Sequence, residues 1–564
     1  MKSINGINWK SNNIPERLIL KKKQSFNISY LLSKIFLDKK YSDEEIYNSI
    51  NNNHGKKLIY HNQDFEYASN FVIDCIKNNK RILIFGDYDV DGYSSTYLLY
   101  DFFGNFKVNC DYYVPDRFSD GYGPNKLLLK KLVNKANYDL VIFVDCGSNS
   151  FEEINFLEKC GLKAIVIDHH QMHSQRKFKK TVIINPLKNP NSANFPLFCA
   201  TTLVYFFLRY LDKCLKKDKK VDFDKYLFFS AISTICDQMP LRGINKLIVN
   251  EGFKNFNLNS FNNLKKIINI NHKITTSDVA FSLGPILNSA SRLGYSNLPL
   301  HLLLEKNNLN IDKISTKLMK LNEQRKKIQV KLINSIIKQT ILISDEIIFN
   351  FKKNINEGLL GIIAANFVEN YNKPSFLMTN SGNLIKCSSR SIDGYDIGKI
   401  FHYAYEKKII IRGGGHAMAG GCVLKKNKIN EFKKYLNIMY KKKIRNFNNT
   451  KYYIGDQNLE SLKLFAKTDL KKLEPLGNNN HNPLFLIKNF RIIKFMVIKD
   501  THLKFIIKNK YNKSCLCFAF NSVGTKLGYL LMNKKKDFDL IVQINNKIIQ
   551  KNSDFNLIIK DAIA

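Results

Sequence analysis

From Arg81 onward, short uninterrupted apolar runs alternate with segments of helical spacing: RILIFGD, SSTYLLYDFFG, DYYVP, DLVIFVD, FEEINFLEKCG, KAIVIDHH and TVIINP. Runs of this length that end in Gly, Asp or Pro are what strands covered on both faces look like. The pattern therefore predicts an α/β fold with a parallel sheet and crossover helices. Two long apolar helices are predicted next, around 201–215 and 224–236. Residues 312–343 mix charged and apolar side chains at helical spacing without Gly or Pro, which predicts a long helix joining two lobes. A second α/β segment, roughly 344–440, ends in RGGGHAMAGG. Beyond a lysine-rich break at 441–451, runs such as LFLIKNFRII, HLKFIIK, SCLCFAF and FDLIVQI predict a small β-barrel.

A chain of 564 residues is too long for one core and divides into several domains of ordinary size. With 44% hydrophobic and 12% aromatic residues, those domains can bury real cores. The 88 Lys and Arg against 48 Asp and Glu give a formal charge of +40, and make a polyanion the first partner to consider. Asparagine runs at 51–53 and 478–480 and the excess of Lys, Ile, Tyr and Phe look like codon drift in an AT-rich genome. Charge alone therefore does not decide for nucleic acid. The 11 cysteines include no C-x-x-C pair and are odd in number, which fits a reducing cytoplasm. The first residues lack an apolar core of signal-peptide length, and the most apolar stretches, 201–211 and 227–236, are too short to span a bilayer; no membrane association is expected.

The positions of the acids carry the chemistry. Asp87, Asp89 and Asp91 follow the strand RILIF, Asp145 ends LVIFV, and Asp168, His169 and His170 end AIVI. The carboxyl ends of parallel strands share one rim, where ligands bind. Any one of these aspartates taken singly is more often a helix cap than a ligand. Five carboxylates and two imidazoles in one crevice are a different matter, because such crowding is unfavourable unless cations neutralise it. Oxygen donors with imidazole and no thiolate point to Mn²⁺ or Mg²⁺, and a pair of such ions is a known device for displacement at phosphorus.

The segments GDYDVDG (86–92), VDCG with Asp145, IDHHQ (167–171) and STICDQMPL with Asp237 resemble, in order and spacing, the motifs of the DHH phosphoesterases. VPDRFSDGYG (114–123), FSLGPILNSASRLG (281–294), KCSSRSIDG (386–394), GGGHAMAGG (413–421), PLG with NPLF (475–485) and HLK (502–504) are similar to the RecJ branch in particular. This resemblance implies a DHH catalytic domain over 76–310 and a connecting helix over 311–343. It further implies a DHHA1 domain over 344–445 and an oligonucleotide-binding barrel over 450–564, with 1–75 packing on the catalytic core.

It also implies a monomeric 5′-to-3′ exonuclease on single-stranded DNA, releasing 5′-mononucleotides in repair and recombination, accompanied by a single-strand-binding protein and a helicase. The implied catalytic set is Asp87, Asp89, Asp91, Asp145, His169, His170 and Asp237. Within it Asp89, Asp91, Asp145, His169 and Asp237 hold two ions, Asp145 bridges them, and Asp87 and His170 support the cluster. Arg117, Asn288, Arg292, Ser388, Arg390 and His416 match positions that meet DNA phosphates, with Arg117, Ser388 and Arg390 expected in loops at the 5′ end of the strand. The glycines at 413–415 and 420–421 either bring backbone N–H groups to an anion or make a tight packing turn.

The chain departs from the RecJ pattern at Ile286, where Arg is usual, at Asn356, where His is usual, and at Ala200, Thr202, Ser233, Ser291 and Ser389, where Gly is usual. None is an implied metal ligand. The alternatives are a DHH phosphoesterase acting on short oligonucleotides or cyclic dinucleotides, and a non-catalytic DHH-type DNA-binding protein. A small substrate needs neither the long helix nor the barrel, and a degraded relative would have lost metal ligands.

Overall fold

The computed structural model describes residues 3–563 apart from 52–57, 59, 61, 173–175, 177, 189–196, 216–220, 255, 257–260, 271, 338–345, 445–449, 534–536 and 546–554. Its first strand, β1 (Asn8–Ser11), is not part of the sheet that follows it in sequence. That sheet contains β2 (Ile82–Phe85), β3 (Cys110–Tyr113), β4 (Leu140–Val144), β5 (Lys163–Ile167) and β6 (Thr181–Ile184). They run parallel in the order β3-β2-β4-β5-β6. The apolar runs have the double burial read from their sequences. Ile82, Ile84, Ile142 and Ile165 face one core with helices Gln63–Lys77, Val90–Asn105 and Ala200–Leu215. Leu83, Phe85, Val141 and Phe143 face a second core with helices Lys126–Lys135 and Phe151–Lys159.

The connecting helix spans Asn308–Ile337, starting four residues before the expected 312; the expected end at 343 lies outside the described residues. Beyond it, β7 (Ile348–Phe351), β8 (Ser375–Ser381), β9 (Leu384–Arg390), β10 (Arg412–Gly415) and β11 (Ala419–Lys425) form a mixed sheet ordered β10-β11-β9-β8-β7. β12 (Thr450–Tyr453) pairs in parallel with β1. The predicted barrel is closed by β13 (Phe485–Ile498), β14 (His502–Asn509), β15 (Ser514–Ala519), β16 (Phe538–Ile544) and β17 (Asn556–Ile563), in the order β13-β14-β15-β17-β16. Cys515 and Cys517 point into its core.

The described residues of 1–75 pack on two domains. Leu58, Tyr60 and the helix Gln63–Lys77 enter the apolar core of the catalytic domain, and Glu45 and Ser49 accept from its Arg242 and Lys246. Leu32, Ile35, Phe36 and Ile46 of the preceding helices also share a core with Phe485, Phe505 and Leu540 of the barrel. Trp9 packs on Tyr453, Leu486 and Ile541, and its Nε1 donates to the buried carboxylate of Asp561 at 2.8 Å. The reason is chemical: Asp561 is fully buried, and Ser3, Asn5 and Trp9 supply the hydrogen bonds that its charge requires.

Candidate metal centre

Three strand ends and one helix end converge at the rim of the parallel sheet. After β2 the chain turns into helix Val90–Asn105, capped by Asp89, whose carboxylate accepts from Asp91 N (3.0 Å) and Gly92 N (3.1 Å). Gly92 is required here, since a Cβ would lie 2.4 Å from the Asp87 carbonyl oxygen. Asp91 points inward and receives the start of another helix: Ala200 N at 2.7 Å, Thr201 N at 2.8 Å and Thr201 Oγ1 at 2.6 Å. Asp145, after β4, has φ +60°, a left-handed conformation uncommon for a residue with a side chain. Asp168 ends β5 and accepts from Ser148 N, His169 N and His170 Nδ1. Asp237 terminates helix Phe223–Cys236.

These side chains meet. His169 Nε2 lies 3.2 Å from Asp145 Oδ1, 3.3 Å from Asp237 Oδ2 and 3.7 Å from Asp91 Oδ2. Asp87, Asp89 and Asp145 form an adjoining triad. Asp87 Oδ1, Asp145 Oδ1, His169 Nε2 and Asp237 Oδ2 are buried without a hydrogen-bond partner. Burial and the neighbouring carboxylates push the Asp145 and Asp237 carboxyls well above their ordinary range. Burial, then Asp89, raises Asp87 to about 8, while burial raises Asp91 to about 6 against the Thr201 hydrogen bonds. Burial and His170 lower His169 to about 3, so it is a neutral imidazole whose Nε2 faces carboxylate oxygens. Donor atoms gathered this closely without hydrogen-bond partners are relieved by protons or by a cation among them.

The donor set fits hard divalent ions. It offers oxygens and one imidazole nitrogen, whereas the nearby thiols of Cys146, Cys199 and Cys236 are held protonated by burial. His170 is the opposite of His169. Burial works against its charge, but the Asp168 carboxylate at 2.8 Å raises it to about 9, and the same pair holds Asp168 well below the carboxylate range despite its burial.

Of the implied phosphate contacts, Arg117 lies 5.0 Å over the Tyr88 ring and Arg292 donates to Gly358 O at 3.0 Å. Arg390 donates to Ser389 O at 2.9 Å. None of these arginines forms an ion pair among the described residues. Burial and the charges of Arg117, Arg390 and Arg325 lower Arg292 to about 9, against the opposing pull of Asp89. Ser388 and Arg390 stand on β9 and not in a loop, which corrects that expectation. Gly361, on helix Glu357–Tyr371, gives them room: a Cβ there would lie 3.1 Å from Ser388 Oγ and 3.2 Å from an Arg390 nitrogen. His416, in the turn between β10 and β11, lies nearly parallel to His170 with ring centroids 6.4 Å apart, which brings the second lobe beside the acidic rim. Asn288 Oδ1 accepts from Val90 N at 3.1 Å and thus steadies the first motif.

The glycine cluster is a close-packed hairpin, with Gly413, Gly414 and Gly415 opposite Cys422, Gly421 and Gly420. Ile286 is buried in the apolar core. Asn356 caps helix Glu357–Tyr371 by accepting from Gly358 N. Ser233, Ser291 and Ser389 each bond a neighbour, to Thr201, Asn288 and Gly420 respectively. Sequence reasoning missed Thr201, which anchors Asp91, and Arg325, whose helix shows only a generic charged face. It also missed Tyr122, whose hydroxyl donates to Asp145 O at 3.2 Å and reaches His170; the glycines on either side were its signal.

Three stretches match known domains: residues 81–231 the DHH family, N-terminal domain, residues 338–442 the DHHA1 domain and residues 455–561 the RecJ OB domain. The chain thus carries a DHH N-terminal domain, a DHHA1 domain and a RecJ OB domain in that order. It is 26% identical to the single-stranded-DNA-specific exonuclease RecJ of Haemophilus influenzae over 502 residues, covering 84% of this chain and 86% of that protein. It is 24% identical to the Bacillus subtilis protein of the same name over 492 residues, 82% of this chain but only 61% of the relative. The RecJ structure from Thermus thermophilus in complex with Mn²⁺ superposes with a TM-score of 0.81 at 19% identity, over 99% of this chain and 79% of that one. At that identity the likeness concerns the fold. Among the described residues no helix is long and apolar enough to cross a membrane.

Proposed function

We propose that this protein is a metal-dependent exodeoxyribonuclease that degrades single-stranded DNA from its 5′ end to 5′-mononucleotides, in DNA repair and recombination. The observation that carries the reading is the set of buried, unpartnered donor atoms on Asp87, Asp145, His169 and Asp237, in a chain whose Arg117, Arg292 and Arg390 form no ion pair among the described residues. Relatives aligned over most of this chain are named as single-stranded-DNA-specific exonucleases, and the Thermus thermophilus structures are in complex with Mn²⁺ or Mg²⁺.

Asp89, Asp91, Asp145, His169 and Asp237 would hold two Mn²⁺ or Mg²⁺ ions, with Asp87 completing the triad around Asp145. When bound, such a pair lowers the pKa of water and neutralises charge at the attacking and leaving oxygens. The chain's own residues do the rest. Asp91 ties the centre to the helix behind it, and Asp168 keeps a proton on His170 Nδ1, so that a positive imidazole faces the cleft. Arg117, Arg292 and Arg390 receive phosphates as guanidinium forks. Phe518 and Phe520, stacked with centroids 5.9 Å apart on the barrel surface, offer bases a platform beside Lys504. We place the protein in the cytoplasm, as a monomer beside a single-strand-binding protein and a helicase.

The deciding test is digestion of 5′-labelled and 3′-labelled single-stranded and blunt duplex DNA with Mn²⁺, Mg²⁺ or chelator. Labelled mononucleotide should appear first from the 5′-labelled single strand and not at all with chelator. Release from the 3′ label first, or equal attack on blunt duplex, would refute the reading.

A further inference from the structure

The motif at 475–485, PLGNNNHNPLF, has no task in the chemistry above. It belongs to the barrel half of the chain, yet it touches the segment that follows Asp237. Asn478 Nδ2 donates to the carbonyl of Gln238, and Leu241 N donates to Asn478 O at 2.9 Å. The Leu241 side chain closes the contact, since a Cβ on Gly477 would stand 2.6 Å from its Cδ1. The loop itself is rigid. Gly477 and Asn480 exchange both backbone hydrogen bonds at 3.1 Å, and buried Asn480 donates to the carbonyls of Leu473 and Pro475 at 2.8 Å. Thr276 Oγ1 fixes its other end by donating to Leu476 O at 3.1 Å.

On the receiving side, Gln238 has φ +54°, a left-handed conformation that a glutamine adopts at a cost. It follows directly on Asp237, and the direction the chain takes there sets where that carboxylate points. Asp237 Oδ2 has no hydrogen-bond partner of its own and lies 3.3 Å from His169 Nε2, so the backbone aims it.

We propose that the loop 476–480 is a positioning element of the metal centre: Asn478 clasps Gln238 and thereby aims Asp237, which makes the barrel half a structural part of the site. The inference rests on the assignment of Asp237 as a metal ligand. The test uses the full chain with Asn478→Ala, Asn478→Asp, Gly477→Ala and Asp237→Ala, measuring Mn²⁺ binding by electron paramagnetic resonance and turnover of a trinucleotide too short to reach the barrel. Asn478 is exposed, and Asp keeps its shape and backbone bond while replacing the donor with an acceptor.

Both Asn478 variants should bind Mn²⁺ roughly fivefold more weakly, the size of one hydrogen bond, and lose kcat on the trinucleotide with KM unchanged. Gly477→Ala, acting on Leu241 from the other side, should shift Mn²⁺ binding in the same direction. Wild-type Mn²⁺ affinity in all three loop variants, with Asp237→Ala weakened, would overturn the clasp alone, as would a loss confined to thermal stability. Wild-type Mn²⁺ affinity in Asp237→Ala would remove the ligand assignment and the clasp together.

Discussion

Asp145 concentrates the residue-scale argument, because it stands in the triad with Asp87 and Asp89 and also 3.2 Å from His169. Asp145→Ala should abolish hydrolysis and weaken Mn²⁺ binding while single-strand affinity, measured by anisotropy in chelator, stays near wild type. Retained turnover would exclude this centre as the reacting one. The same crowding has a pH signature. Asp87, raised to about 8, and Asp91, raised to about 6, are each well above the ~3.9 of an unfolded aspartate. In chelated protein the folded state therefore keeps protons that the unfolded chain has lost. The stability so gained is full below about pH 4 and declines as pH rises through about 6 to 8. Melting curves across that range should show the decline in chelator and its removal by saturating Mn²⁺; a flat profile in chelator would mean that the carboxylates are relieved in some other way. The acids were legible in the sequence because strand ends of a parallel sheet share a rim. Thr201 was not, since its contact with Asp91 spans 110 residues and leaves no local pattern.

At the scale of elements, the strands of the first sheet could be read because burial on both faces demands uninterrupted apolar runs. The long helix could be read because its period is sustained. What escaped were pairings set by tertiary contacts: the parallel bridge of β1 to β12, and the placing of Ser388 and Arg390 on a strand and not in a loop. The first motif offers a contrast between two glycines of one helix. Gly92→Ala would press a methyl group against the Asp87 backbone, which has nowhere to go, and should cost most of the Mn²⁺ binding. Gly104→Ala, with nothing within 4 Å, should leave Mn²⁺ binding intact and raise the melting temperature slightly, by up to ~1 kcal/mol of stability. Equal effects of the two would show that the close approach at Gly92 does not shape the centre.

For the whole molecule, the barrel should grip long strands while the cleft does the chemistry. Lys504, opposite both Met496 and Phe518 on the outer surface, is the residue to remove. Lys504→Ala should flatten the log–log dependence of single-strand affinity on salt by about 0.7, the loss of one phosphate contact. Trinucleotide turnover should not change. An unaltered slope would take this face off the path of the strand.

The seating of the N-terminal segment on the barrel has a consequence for how the molecule is made. β1 pairs with residues 450–453, and Ser3 bonds Asp561, 558 positions away. While the ribosome works, the first helices and Trp9 emerge with their apolar faces bare and wait for a partner still to be translated. Their docking is a late event in biosynthesis that no local preference can hurry. Until it happens, a nascent chain already carrying its metal-binding lobe leaves these apolar faces open to solvent.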